Sequence, residues 1–203
     1  MITRLENELQ YRSQLEYSRY CIRLIMETSS RPIVSSKFGA DATVFLHLIT
    51  QELPDIPVIW VDSGLNTPAT LNFVEETKSD LSLNLNVYQP MPISVSTVAD
   101  EKSSDANDLV SRMKIEPFKR AFNDHQPDVW FSSLRRYQTE HRASKTVYEQ
   151  ATPTLVKAYP ILEWSQEFVE RYKEENNLAS GPQAFDTTKL SSHAECGLHT
   201  YKW

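Results

Sequence analysis

Pro32-Ile33-Val34-Ser35-Ser36-Lys37-Phe38-Gly39-Ala40-Asp41 runs without a break into Ala42-Thr43-Val44-Phe45-Leu46-His47-Leu48-Ile49. A short apolar run gives way to a polar loop with one glycine, and Phe45, Leu48 and Ile49 then share one helical face. The pattern predicts strand, loop and helix. The N–H groups of such a loop, together with the helix N-terminus, form a site for an anion. No Gly-Lys-Ser/Thr closes the loop and no GxGxxG occurs in the chain, so it is neither a Walker A loop nor a dinucleotide fingerprint. A serine-rich helix start is by itself more often a simple N-cap.

The same rhythm repeats downstream. Ile56-Pro57-Val58-Ile59-Trp60-Val61 reads as a buried strand ending in Asp62-Ser63-Gly64. Thr67 and Pro68 supply an N-cap and a first helical residue for a helix through about Asp80. Leu83 to Tyr88 alternates as a third strand. Alternating strand and helix predict an α/β fold with a doubly wound, mainly parallel sheet and helices on both faces. Ligands in such sheets bind beyond the carboxyl ends of the strands, where Ser35–Gly39 and Asp62–Gly64 both fall.

Further along, Pro90 to Leu109 is rich in Ser, Asp, Thr and Pro and reads as a long surface loop, a candidate lid. Lys114 to Phe122 is expected to be helical, and Asp128-Val129-Trp130-Phe131 to be a fourth strand. From its carboxyl end runs Ser132-Ser133-Leu134-Arg135-Arg136-Tyr137-Gln138-Thr139-Glu140-His141-Arg142, with three arginines in eight residues. A guanidinium fork suits phosphate and sulfate, although a solvated basic loop pairing with nearby acids reads equally well. Leu155 to Ile161 is a candidate fifth strand, followed by a helix from Ser165 to Asn176. Before the first strand, Gln14 to Glu27 is helical, with Tyr17, Tyr20, Cys21 and Leu24 on one expected core face. Cys21 then reads as a buried structural thiol.

The 203 residues are 40% apolar and 24% charged, enough for one globular domain. Mean hydropathy is −0.47, no apolar run has membrane length, and charges stand where a signal peptide needs its apolar core. A cytoplasmic location is expected. The net charge of −6 argues against general nucleic-acid binding. Two cysteines, Cys21 and Cys196, cannot make a disulfide framework or a four-cysteine iron–sulfur site.

After Asn177 the apolar periodicity stops and a tail leads to His193-Ala194-Glu195-Cys196-Gly197-Leu198-His199, with Trp203 last. A thiol placed there can enter a pocket, react and swing out to a second protein. His193, Cys196 and His199, spaced by three, offer zinc ligation as an alternative, but structural sites take four ligands and no fourth is near in sequence.

Taken together, the chain resembles the phosphoadenylylsulfate (PAPS) reductases of the adenine-nucleotide alpha-hydrolase-like group, from about Arg31 to Trp164 and again at the tail. Ser35-Ser36-Lys37-Phe38-Gly39 resembles that family's modified PP-loop, and Val61-Asp62-Ser63-Gly64 its Leu-Asp-Thr-Gly segment. Lys114-Ile115-Glu116-Pro117 is similar to a Lys-Val-Glu-Pro helix start. Leu134-Arg135-Arg136-Tyr137-Gln138 with Arg142 resembles its arginine loop, and Tyr159-Pro160-Ile161-Leu162-Glu163-Trp164 its Pro-Ile-x-Asp-Trp segment. Glu195-Cys196-Gly197-Leu198-His199 resembles its terminal catalytic motif. The sequence departs from the family at Lys37, where a small residue is usual, and at His193-Ala194, where a basic pair is common. The stretch between Trp164 and Cys196 is also shorter.

The resemblance implies a nucleotide-binding α/β domain over 1–176 and a catalytic tail over 177–203. Cys196 has to reach both a pocket and a redox protein, so the tail is expected to be mobile, with Asn177–Leu190, which lacks apolar periodicity and contains Gly181-Pro182, as its hinge. It implies reduction of PAPS to sulfite and adenosine 3′,5′-bisphosphate, with thioredoxin or glutaredoxin as electron donor and no bound cofactor or metal. Cys196 is the implied nucleophile. Ser35, Ser36, Lys37, Phe38, Gly39, Asp62, Ser63, Gly64, Arg135, Arg136, Gln138, Arg142 and His199 are the implied substrate-binding residues. A preference for PAPS over adenylylsulfate and a homodimer complete the expectations. Two other readings keep the pocket: a PP-loop ATP pyrophosphatase or adenylyltransferase, whose loops favour a glycine pair this chain lacks, and a non-enzymatic nucleotide-binding module.

Overall fold

The computed structural model describes residues 2–91 and 111–182. Six strands form one sheet: β1 (Pro32–Ser35), β2 (Val58–Val61), β3 (Leu85–Tyr88), β4 (Val129–Phe131), β5 (Tyr148–Thr152) and β6 (Leu155–Ala158), in the order β3-β2-β1-β4-β6-β5. All neighbours are parallel except β5, which runs antiparallel to β6 at the edge. The helices are α1 (Ile2–Met26), α2 (Ala42–Glu52), α3 (Pro68–Asp80), α4 (Glu116–His125, entered through a π-helical turn at Ser111–Ile115) and α5 (Gln166–Glu175). Among the described residues no helix is long and apolar enough to cross a membrane.

The two-residue alternation of the strands sorts their side chains onto two apolar layers. Val34, Val58, Trp60, Val129, Phe131 and Ala158 join one core with residues of α1, α2, α3 and α5. Ile33, Ile59, Trp130 and Leu155 face the other way, against Phe118 and Ala121 of α4. The expected doubly wound sheet with helices on both faces is therefore what forms. From β1 the chain winds out through β2 and β3, then returns to lay β4 on the other side of β1. That reversal puts a crevice at the carboxyl ends of β1 and β4.

Several local expectations hold to the residue. Thr67 caps α3, its Oγ1 accepting from Thr70 N at 3.2 Å, with Pro68 in the first turn. Ser165 caps α5 by accepting from Phe168 N at 3.1 Å. One expectation needs correction. The first helix starts at Ile2, and its core face carries Tyr11, Ser18, Cys21 and Ile22, whereas Tyr17, Tyr20 and Leu24 are exposed. Cys21 is buried as expected, but a polar residue sets the register. Ser18 Oγ donates to Pro160 O at 2.8 Å and accepts from Trp164 Nε1 at 2.8 Å, which fixes the face that turns inward. The edge strand β5 adds to the expected elements, since it carries no apolar alternation to announce it. Its strand character comes from pairing with β6. The segment read as a lid, Pro90 to Leu109, lies from residue 92 onward outside the described residues.

Candidate active site

β1 ends in Ser35, whose Oγ accepts from Trp130 Nε1 at 2.8 Å, so the first loop serine is committed to the sheet. Ser36 N donates to Ile59 O at 3.1 Å, extending the parallel ladder by one residue. The chain then folds back on itself, Phe38 N donating to Ser36 Oγ at 3.1 Å. Phe38 sits at φ +50°, a conformation that costs a non-glycine residue about 1–2 kcal/mol. Its ring offsets that cost by full burial and an edge contact with Trp60 at 5.6 Å. Phe38 is thus the anchor that holds the loop open, and Ala42 N closes the turn onto Gly39 O at 3.0 Å as α2 begins.

Beyond the loop lies a cavity of about 360 Å³. Its wall joins Ser36, Lys37, Gly39 and Asp41 on the β1 side to Ser133, Arg135 and Gln138 on the β4 side. The structure therefore unites five of the expected binding residues across the switch between β1 and β4. Ser35 and Phe38 stand behind this wall.

Arg135 is the buried cation of the wall, at 6% exposure. One of its nitrogens, Nη2, donates to Asp41 Oδ2 at 2.9 Å and to Gln166 Oε1 at 2.9 Å. The other carboxylate oxygen of Asp41 accepts from Lys173 Nζ at 3.2 Å, and Lys173 also meets Glu170 Oε2 at 3.1 Å. Burial pulls the Arg135 guanidinium below its ordinary value, with Asp41 and Glu170 pushing back. For Lys173 burial also opposes the charged form, but the hydrogen bonds to Glu170 and Asp41 outweigh it and the ammonium is held above its usual range. An acid in the wall of an anion site would repel the ligand. Here it is answered by two cations and serves to orient one of them.

The other two arginines of the loop are placed differently. Arg136 points away from the cavity and forks onto Glu163, Nε to Oε1 at 3.0 Å and to Oε2 at 3.2 Å. Arg142 donates to Gln138 Oε1, so it reaches the wall through that side chain. Asp62-Ser63-Gly64 forms a tight turn at the end of β2, outside the cavity wall. Asp62 accepts from Gly64 N at 3.0 Å, Asn66 Nδ2 at 2.7 Å and Gln89 Nε2 at 2.9 Å. Gly64 at φ +74° supplies the left-handed backbone that this turn requires. Cys196, His199 and His193 lie outside the described residues.

The start of the expected hinge is described, and it is packed. Thr43 Oγ1 donates to Ala179 O at 2.7 Å, and Gly181 N to Ala40 O at 3.1 Å. A Cβ on Gly181 would come within 2.6 Å of Gly39 O and 2.5 Å of Phe73 Cε1. Residues 178–181 thus strap the back of the serine loop, and Gly181 serves close approach. Sequence reasoning missed Asp41, Lys173, Gln166 and Ser133. Asp41 was in plain view as the last residue of the loop, but at that position an N-cap is the ordinary role. It makes no side-chain cap at all. Lys173 resembles a solvated helix lysine paired with Glu170 at i−3, and only the docking of α5 onto α2 buries it.

Comparison with known proteins bears on this site. The chain is 34% identical over 197 residues to the phosphoadenosine 5′-phosphosulfate reductase of Alkalilimnicola ehrlichii, covering 83% of this chain and 80% of that protein. Its fold is similar to the crystal structure of phosphoadenylyl-sulfate reductase from Candida auris, with a TM-score of 0.68, 19% identity and 81% of each chain covered. It is also similar to the FMN adenylyltransferase of Candida glabrata, with a TM-score of 0.58, 16% identity, and 80% of this chain and 55% of that one covered. At such identities the two structures speak for the fold alone, which a reductase and an adenylyltransferase share. Sequence separates them: the family described as the phosphoadenosine phosphosulfate reductase domain matches residues 31–182. The chain belongs to the phosphoadenosine phosphosulfate reductase domain family.

Proposed function

We propose that this protein reduces 3′-phosphoadenylyl sulfate to sulfite and adenosine 3′,5′-bisphosphate. The observation that carries this reading is the joining of the serine loop and buried Arg135 in one wall at the β1/β4 switch, in a chain of this family. Loop N–H groups and the start of α2 favour a phosphate–sulfate anion, and Arg135 supplies a cation already stripped of water. Lys37, also in the wall, adds charge for the 3′-phosphate and supports a preference for PAPS over adenylylsulfate.

Cys196 is the nucleophile. Its thiolate attacks the sulfonate sulfur; an S–S bond forms and the bond from sulfur to the phosphate oxygen breaks, with the electron pair leaving on adenosine 3′,5′-bisphosphate. A thiolate of thioredoxin or glutaredoxin then attacks the Cys196 sulfur of the Cys–S–SO₃⁻ adduct and sulfite departs. The reductant's second thiol resolves the mixed disulfide, so two electrons pass from dithiol to sulfur and Cys196 is restored. A free thiol needs its pKa brought down from about 8.5 by nearby cations, for which Arg135, Arg142 and His199 are the candidates, with Arg136 acting at longer range. Recycling by a dithiol suits a reducing compartment, the cytoplasm. The tail beyond the strap at Gly181 carries Cys196 between cavity and reductant.

The test is sulfite release from PAPS with and without thioredoxin, for the wild type and for Cys196→Ser. Thioredoxin-dependent sulfite that disappears in Cys196→Ser, with nucleotide binding retained, is expected. Pyrophosphate release from ATP instead would install the adenylyltransferase reading, and binding without turnover the non-enzymatic one.

A further inference from the structure

β4 and β6 put an indole and an ammonium side by side on the α4 face of the sheet, where Trp130 is the register partner of Lys157. Around them that face is apolar, with Ile33, Ile59, Leu155, Phe118 and Ala121. Lys157 is nevertheless only 7% exposed, its Nζ 5.2 Å from the centre of the Trp130 ring. Withdrawing an ammonium from water is unfavourable unless polar or charged groups answer it. Burial and Lys145 pull the Lys157 ammonium below its ordinary value, and Glu149, its register partner on β5, opposes them. Glu149 is itself engaged by Lys145 Nζ at 3.0 Å and by the Tyr159 hydroxyl at 3.2 Å. A methionine would cover the indole as well as the lysine stem does, without that cost.

The use of the charge lies at the far edge of the indole. Trp130 is fully buried and held by Phe118 at 5.0 Å and Phe122 at 5.6 Å, and its Nε1–H donates to Ser35 Oγ at 2.8 Å. An indole nitrogen only donates, whereas a serine hydroxyl can donate or accept. Ser35 must therefore accept here, and its own proton is left over. Among the described residues no acceptor lies within hydrogen-bond distance of that hydroxyl. Ser35 is half-buried and directly precedes Ser36 of the cavity wall, so the proton is available at the foot of the anion loop. A cation against the π face draws electron density from the ring and makes its N–H a stronger donor.

We propose that Trp130 and Lys157 are positioning residues for the anion loop. The indole, polarised by Lys157, locks the Ser35 hydroxyl so that its proton is presented to an oxygen of the bound phosphate–sulfate group. The inference rests on the PAPS-reducing reading for the identity of that anion. It gives the loop a side-chain donor of set direction beside its N–H groups, and a hydroxyl already turned needs no reorganisation when the anion arrives.

The experiment is the affinity for PAPS, measured by calorimetry in a Cys196→Ser background so that binding is read without turnover. KM and kcat for sulfite release are measured beside it with Cys196 intact. Trp130→Phe keeps a ring beside Phe118 and removes the N–H, and Lys157→Met keeps the stem and removes the charge. Trp130→Phe is expected to weaken binding and raise KM about three- to tenfold, the range of one hydrogen bond, with kcat changed less. Lys157→Met should weaken binding about two- to fivefold, and Lys157→Arg should recover most of that loss. The decisive readout is the cycle with Ser35→Ala, in which neither change should weaken binding further. Effects that add in full to Ser35→Ala, or a loss of stability in urea with unchanged affinity, overturn the proposal and leave both residues as packing. If Trp130→Phe does not fold by circular dichroism, Lys157→Met and its cycle decide alone. PAPS bound with the expected pattern but no sulfite from the wild type would support the positioning and overturn the reductase reading. Sulfite release with unaltered affinity in both variants would overturn the positioning alone, and no binding of PAPS would overturn both.

Discussion

Two strand ends of this sheet carry an aspartate, and the two carboxylates are answered in different ways. Asp41, after β1, meets the guanidinium of Arg135 and the ammonium of Lys173. Asp62, after β2, meets a backbone N–H and two side-chain amides, all neutral. Neutral donors can brace a turn but add no net charge to their surroundings. Around Asp41 the two cations are balanced by Asp41 and Glu170, and the member of this cluster that brings a buried positive group to the cavity wall is Arg135. The contrast favours the proposed anion site at β1 and β4, where Arg135 lines the cavity, and leaves the β2 turn outside its wall.

The sharpest break in this comparison is removal of the buried cation. Arg135→Met takes away the buried cation of the cavity wall and leaves Lys173 as the cation still paired with Asp41. Losing one partner of a buried ion pair costs about 3–5 kcal/mol, here lessened because Lys173 still answers the acid. A fall in kcat/KM of about a hundredfold or more is expected, since a charge used in the transition state is missing. Arg136→Ala, removing a guanidinium that forks onto Glu163 near the surface, should stay within about threefold and cost no more than about 1 kcal/mol. Steady-state sulfite release and urea denaturation of both variants decide it. Equal effects would mean that burial does not mark the working arginine.

A milder break removes the second cation. Lys173→Met leaves the wall's residues in place but lets Asp41 draw harder on Arg135. An increase in KM for PAPS of about three- to tenfold is expected, with kcat changed less, and Lys173→Arg should restore most of it. A purely structural lysine would give a loss of stability without the KM change and without rescue by arginine.

How much of this could be read from the chain depends on the range of the forces involved. Strand and helix succession was legible because it is local: Thr67-Pro68 and Ser165 cap helices by contacts three residues away. The cavity's halves were legible as motifs, since Ser36, Lys37 and Gly39 lie in one loop and Arg135 and Gln138 in the other. What was not legible is long-range. Arg135 and Arg136 are equivalent in sequence, and only the contact with Asp41, 94 residues away, distinguishes them. Lys173 needs a partner 132 residues distant. The face of α1 was misread because apolar spacing exists on both of its sides, and Ser18, bonded to Pro160 and Trp164, decides which one turns inward.

The comparison can be sharpened through pH at the neutral-donor end. Burial alone would raise the Asp62 carboxyl, but the N–H of Gly64 and the amides of Gln89 and Asn66 outweigh it and hold the group below its ordinary 3.8. A carboxyl whose folded pKa is depressed binds protons more readily in the unfolded chain. Its ionisation therefore contributes stability that is fully present above pH 3.8 and is lost as pH falls through the lower, folded value. Asp62→Asn has no such proton to bind. The stability gap between wild type and Asp62→Asn should be constant near neutrality, on the order of 1 kcal/mol for hydrogen bonds to a charged acceptor, and should narrow on acidification below pH 4. Asp128, likewise held low by Ser29, Ser30 and Arg31, titrates in both proteins and cancels in the difference. Denaturant curves at stepped pH measure the gap, and a gap that does not change with pH would show that shape and not charge is what the turn takes from Asp62. KM for PAPS at neutral pH should move by less than about twofold, because this carboxylate spends its charge on the turn and not on the cavity.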